Sequence, residues 1–105
     1  MMAAVIIHGG AWDIPANLIN DTLNGCRDAL EFAVVKVEKH HSALDVVEET
    51  IMILENNPLF VAGTGSFVNT ENRVEMDAII IDGVTSRFGS VGAIMNVKNP
   101  IKIAR

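Results

Sequence analysis

Two stretches with helical spacing stand back to back in this chain, and apolar strand-like runs flank them on both sides. From Leu18 onward, Ile19, Leu23, Cys26, Leu30, Ala33 or Val34, and Val37 recur at three- and four-residue steps, while Asp28, Glu31 and Lys36 fall between them. The spacing predicts an amphipathic helix with that apolar set as its buried stripe, ended by "EKHH". Ser42 then opens a second helix. Ser42 and Asp45 have the Ser-x-x-acid spacing in which a hydroxyl accepts an early backbone N–H. Ala43, Val47, Thr50 or Ile51, and Leu54 make its expected stripe, and Pro58 stops it by disfavouring helical geometry at Asn57. Two helices joined so closely should pack as an antiparallel pair.

The flanks have a different rhythm. Ala3–Ile7 is a continuous apolar run closed by "HGG", read as a buried strand and a tight turn. "AWDIPAN" is a loop. "LFVAGTGSFVNTENR" is a glycine-containing loop with a short extended piece at Ser66–Asn69. "VEMDAIIID" and "RFGSVGAIMNV", joined by "GVTS", predict an antiparallel hairpin whose first strand is buried on both faces. Gly89 and Gly92 in the second strand mark close approach of other backbone or a packed helix. Asn99-Pro100 opens a third, truncated helix, with the Asn99 side chain as N-cap and Pro at the first helical position. One turn is not stable by itself in water, so this piece must lean on tertiary contacts. The order is a strand, a two-helix pair, a hairpin and a helix start, an α+β arrangement.

At 105 residues the chain is one domain at most. Half of its residues are hydrophobic, more than so small a body can enclose, so apolar faces should remain for something else to cover. The formal charge of −5 argues against nucleic acid and anionic membrane as partners. "MMAAVII" lacks a basic n-region and is too short for a signal peptide or a span. The single Cys26 excludes an internal disulfide, and a cytoplasmic location is expected.

No stretch assembles chemistry by itself. "GTGSF" lacks the Lys of a phosphate loop and the third glycine of a dinucleotide loop. His40 and His41 are adjacent, and no further ligands accompany them to make a zinc site. Glu75 and Asp77 share one face of their strand and Asp82 takes the other, which does not establish a carboxylate pair. Asp82-Gly83 is a turn, and Asp77 is expected to be buried and satisfied by hydrogen bonds. Cys26 on an apolar stripe is expected to be a core cysteine. The backbone of His8–Gly10 could hold an anion or shape a site.

As an ordered set the motifs are more specific. "VIIHGGAW", "SALDVVEETIMILENNPLF", "AGTGSF", "VEMDAIIIDG" and "VKNPIKIAR" resemble the N-terminal part of the plant-type asparaginase and isoaspartyl-peptidase family, from Ala4 to Arg105. The resemblance implies a four-layer αββα sandwich of the threonine N-terminal-nucleophile hydrolases, of which residues 1–105 would be an incomplete α-subunit portion. It implies autoproteolysis into α and β subunits. It also implies a β-subunit Thr whose hydroxyl hydrolyses L-asparagine or β-aspartyl peptides, with its own amine as base. Thr22, Thr50, Thr64, Thr70 and Thr85 do not match that Thr, so no catalytic residue is assigned and the chain alone is expected to be inactive.

Two sites carry over from the resemblance. His8, Gly9 and Gly10 correspond to a glycine loop near the active site. The carbonyls of Leu54, Glu55, Asn57, Phe60, Ala62 and Thr64 correspond to a loop that some members wrap around a structural sodium ion; no other cofactor is implied. Val61 stands where many members have an Asn that reaches the active site, Trp12 stands where Gly is common, and Glu71-Asn72 replaces a Gly turn, with Asn72 able to take positive φ. The implied partners are the remainder of the α subunit and the β subunit. The alternative is a non-catalytic, degenerate paralogue that covers its apolar faces by self-association or binding.

Overall fold

A computed structural model describes residues Met2–Arg105. Its elements are α1 (Ile19–Glu38), α2 (Ala43–Asn56), β1 (Met76–Asp82), β2 (Arg87–Ile94) and α3 (Pro100–Ala104), with 3-10 turns at Ala16–Leu18 and Gly63–Gly65. The body is only 19 Å through its thinnest dimension, room for one layer of helix on one sheet.

The helix boundaries follow local chemistry. Main-chain N–H groups of His40 and His41 donate to the carbonyls of Val37 and Lys36, and His40 sits at φ 60°, which is a Schellman stop for α1. Ser42 Oγ accepts the Asp45 N–H at 3.2 Å and donates to Asp45 Oδ2 at 2.6 Å, so the capping pair forms as expected. Asn57 is extended ahead of Pro58 and ends α2. The pair is antiparallel: Lys36 bonds Glu49 at 2.6 Å, while Gly25, early in α1, lies against Asn57 just past the end of α2.

The buried stripes match those expected only at Ala33 and Thr50. α1 turns Thr22, Gly25, Ala29 and Ala33 inward, while Ile19, Leu23, Leu30 and Val34 are exposed. Small residues spaced by three and four let the helices approach closely, and that contact wins over the larger apolar stripe. In α2 the buried residues are Val46, Thr50 and Glu55, with Val47 exposed.

Ala3–Ile7 is not in a sheet, which corrects the strand expected there. The segment keeps the alternation of a strand, with Val5 and Ile7 half-buried and Ala4 and Ile6 exposed. It lies over a groove floored by Val37, Val46, Thr50 and Leu54. A strand needs a neighbour's N–H and C=O groups, and among the described residues none runs beside it. Ser66–Asn69 likewise joins no sheet.

The hairpin forms in the register Asp82↔Arg87, Ile80↔Gly89 and Ala78↔Val91. Asp82 makes the turn: its Oδ1 accepts the Val84 N–H at 3.0 Å and its Oδ2 accepts the Thr85 hydroxyl at 2.6 Å. A bulge next to Asp77 puts Ala93 at φ 52°, and Asp77 Oδ1 accepts the Ala93 N–H at 2.7 Å. Asp77 is therefore satisfied, but it is exposed rather than buried.

β1 is buried on one face only. Ile80 joins Ile101 and Ala104 of α3 in the core, with Leu44, Ile51, Met52, Ala78 and Val91 packed around them. On the opposite face Ile79, Ile81 and Phe88 are bare. α3 lies so close to β2 that a β-carbon on Gly89 would stand 1.8 Å from the Ala104 carbonyl oxygen, the close approach the sequence marks at that glycine.

Candidate functional site

Phe60 is the residue that gathers the site. Its ring is 2% exposed and gripped by two glycines. A β-carbon on Gly9 would lie 3.0 Å from Cε1, and one on Gly25 would lie 2.9 Å from Cε2. The "HGG" turn, α1 and the loop after α2 are thus held together by one aromatic side chain. None of the apolar spacings marks Phe60 for this; the signal is two small residues whose missing side chains make room.

Beside Phe60 lies a cavity of about 330 Å³, lined by His8–Gly10, Trp12, Leu54, Val61 and Ala62 among others. The structure therefore brings the two carried-over segments to one place. Gly10 is at φ 102°, and its N–H donates to His8 Nδ1 at 3.0 Å. That bond makes Nδ1 an acceptor, so the neutral ring carries its proton on Nε2. It also removes the Gly10 N–H from any anion-binding role. Trp12 stacks edge-on against Phe67 at 5.8 Å, and its buried indole N–H has no partner among the described residues. Val61 is 40% exposed on the same cavity. Cys26 is half-buried with Sγ against Gly9, at the edge of the site rather than in the core.

The loop from Asn57 to Thr64 is irregular until the 3-10 turn at Gly63–Gly65. Asn57 Oδ1 accepts the Leu59 N–H at 3.0 Å and shapes its start. The carbonyls of Leu54, Asn57 and Ala62 each accept one main-chain N–H, from Asn57, Phe60 and Gly65. Each keeps a second lone pair. The chain then doubles back: a β-carbon on Gly63 would stand 2.4 Å from the Glu55 carbonyl oxygen, and one on Gly65 would stand 2.0 Å from that of Phe60. Thr64 is exposed in the middle of the turn. All-oxygen donors of this kind suit a hard cation. His40 and His41 are exposed at the end of α1, and no group of three His, Cys, Asp or Glu among the described residues could hold a metal ion.

A family model described as asparaginase matches residues 1–105. The chain belongs to the asparaginase family. The plant-type L-asparaginase of Pyrococcus abyssi is 50% identical to it over 105 residues, covering 99% of this chain and 34% of the relative. The isoaspartyl peptidase/L-asparaginase of Danio rerio is 37% identical, covering 100% and 34%. A probable isoaspartyl peptidase/L-asparaginase of Arabidopsis thaliana is 39% identical, covering 97% and 32%. This asparaginase-family chain thus spans about a third of the length of the curated relatives it matches. No helix among the described residues is long and apolar enough to cross a membrane.

A second polar centre of this asparaginase-family chain lies where α2 meets α3. Glu55 is 3% exposed. Its Oε1 accepts the Ile101 N–H at 3.0 Å and its Oε2 accepts from Asn99 Nδ2 at 2.9 Å. Asn99 also donates to Asn56 Oδ1 at 3.1 Å. Asn99 therefore occupies the N-cap position of α3, but its side chain does not cap the helix; the acceptor comes from Glu55. The sequence holds a hint of this. An acid in the last turn of a helix opposes the helix dipole, so Glu55 must have another reason to be there.

Proposed function

We propose that this chain is the N-terminal portion of the α subunit of an amidohydrolase that acts on L-asparagine or β-aspartyl peptides. The observation that carries the reading is the family match along residues 1–105, together with the meeting of "HGG" and the loop after α2 around one cavity. In this reading the bare face of Ile79, Ile81 and Phe88 packs on a second sheet of an αββα sandwich. The partners are the remainder of the α subunit and the β subunit. That remainder supplies the nucleophile: a Thr exposed by autoproteolysis, whose hydroxyl attacks the amide carbon while its own α-amine takes the proton. The His8–Gly10 turn and Phe60 shape one wall of the site. Val61 gives that wall an apolar surface that cannot hydrogen-bond to substrate. The carbonyls of Leu54, Glu55, Asn57, Phe60, Ala62 and Thr64 would hold a sodium ion, which shapes the loop and does no chemistry. The enzyme works in the cytoplasm, a reading supported by the lone cysteine.

The test is aspartate release from L-asparagine and from a β-aspartyl dipeptide. The purified 105-residue chain alone should release none. Mixed or co-expressed with a polypeptide matching the rest of a full-length relative, it should become active. Release by the chain alone would overturn this reading. The exposed Ile79, Ile81 and Phe88 also favour a second reading, a non-catalytic protein that self-associates through that face. Cooperative unfolding that strengthens with protein concentration, with no activity on complementation, would select it.

A further inference from the structure

The cavity beside Phe60 has no charge in its wall. Among the described residues its lining includes no carboxylate, ammonium or guanidinium; its large side chains are Trp12, Leu54, Phe60 and Val61, with His8. His8 Nδ1 is already taken by the Gly10 N–H. Two aromatic rings of the wall are set in place, Trp12 by its edge-to-face contact with Phe67 and Phe60 by the close approach of Gly9 and Gly25. Val61 is exposed, so on its side the cavity is open to water. The volume of about 330 Å³ is at the small end of ligand pockets, which run from roughly 300 to 1,000 Å³. It is far more than an ammonia molecule needs.

We infer that this cavity receives the amino acid released from a β-aspartyl peptide, and that Val61 and Trp12 select an apolar one. The inference rests on the amidohydrolase reading above and names the leaving group for it. Hydrolysis adds water across the amide and breaks its C–N bond. It releases aspartate together with either ammonia or a second amino acid that carries the new α-amine. The aspartyl half of either substrate bears an α-carboxylate and an α-ammonium. Charges taken out of water need partners, and this wall has no charge to offer, so the aspartyl half is held elsewhere. What remains for the cavity is the other side of the scissile amide. Ammonia leaves the wall bare. An apolar side chain covers it and is itself removed from water. A lysine side chain brings a charge that nothing on the wall pairs. The released residue's own carboxylate stays in water on the open side, by Val61.

The experiment assembles this chain with a polypeptide matching the rest of a full-length relative. It compares kcat/KM on L-asparagine, β-aspartyl-leucine and β-aspartyl-lysine. The leucine dipeptide should exceed the lysine dipeptide by about tenfold or more, the scale on which apolar pockets discriminate. In Val61→Asp, which puts a carboxylate on the wall, that ratio should fall by about tenfold, because the lysine dipeptide gains a partner and the leucine dipeptide loses apolar contact. Val61→Thr keeps the shape, should lower the ratio by a smaller factor, and decides if Val61→Asp does not assemble. Hydrolysis of L-asparagine with equal rates on the two dipeptides, or a loss in Val61→Asp that is the same on both, would overturn the inference and leave the amidohydrolase reading standing. No hydrolysis of any of the three would overturn both.

Discussion

The carboxylate of Glu55 accepts the main-chain N–H of Ile101 at 3.0 Å across 46 positions of sequence. It does for α3 what an N-cap residue ordinarily does from next door. Glu55→Ala leaves a buried N–H of Ile101 without an acceptor and frees α3 from α2. The expected loss is about 2–3 kcal/mol, typical of an unmet buried donor once bound by a charged group. Urea unfolding of the two proteins measures it, and an unchanged midpoint would show that α3 does not depend on this bond.

Gly89 is set by the carbonyl of Ala104. Gly89→Ala forces a methyl onto that oxygen, so α3 must leave the sheet or β2 must bend. Stability should drop by about 2 kcal/mol or more, at the upper end of overpacking effects. Gly83→Ala is the matched control, because a β-carbon there meets nothing within 4 Å. Thermal unfolding should separate the two variants clearly.

His40 holds a left-handed conformation at the end of α1. A side chain there costs about 1 kcal/mol relative to glycine. His40→Gly should therefore raise stability by about that amount, with the helix content by circular dichroism unchanged. A destabilised variant would mean that the His40 side chain makes contacts worth more than its strain.

Asp45 is held below the ordinary carboxylate range by its hydrogen bonds to Ser42 and then to Arg105. Asp82 is held low by the Thr85 hydroxyl and then the Val84 N–H. In both, the folded-state pKa lies below the unfolded one. Their stabilisation is therefore present above the unfolded pKa and is lost as pH falls through the folded one. Stability should decline below about pH 4, where free Asp begins to protonate. Asp45→Asn should flatten that decline. A variant with the same acid slope as the parent would remove Asp45 from its cause.

Ile81 and Phe88 face each other across the hairpin on its bare side. The double change Ile81→Thr, Phe88→Thr should lower binding of an apolar dye by the isolated chain and shift it to smaller species in gel filtration. Little stability should be lost, since neither side chain is in the core. Equal dye binding before and after would place the sticky surface elsewhere, with the exposed stripe of Ile19, Leu23 and Leu30 as the next place to look.

What the chain writes locally was legible. Both helices, the Ser42 cap, the Pro58 stop, the Asp82 turn, the hairpin and the positive φ of Asn72 depend on sterics and hydrogen bonds spanning a few residues. Each residue's own geometry decides them. The ordered motifs also identified the family, because five fixed spacings are hard to meet by accident.

Tertiary structure decided which faces were used and who met whom. α1 offers two stripes, and hydrophobicity alone favours the larger one. The small stripe is buried because it lets α2 come close, and closeness is a property of the pair. Ala3–Ile7 has the alternation of a strand but no neighbour to bond among the described residues. Phe60 is buried because Gly9 and Gly25 make room on both sides of its ring, and α3 begins where it does because Glu55, a helix away, accepts its N–H. Such contacts depend on distances set by the whole fold, which no local spacing of residues encodes.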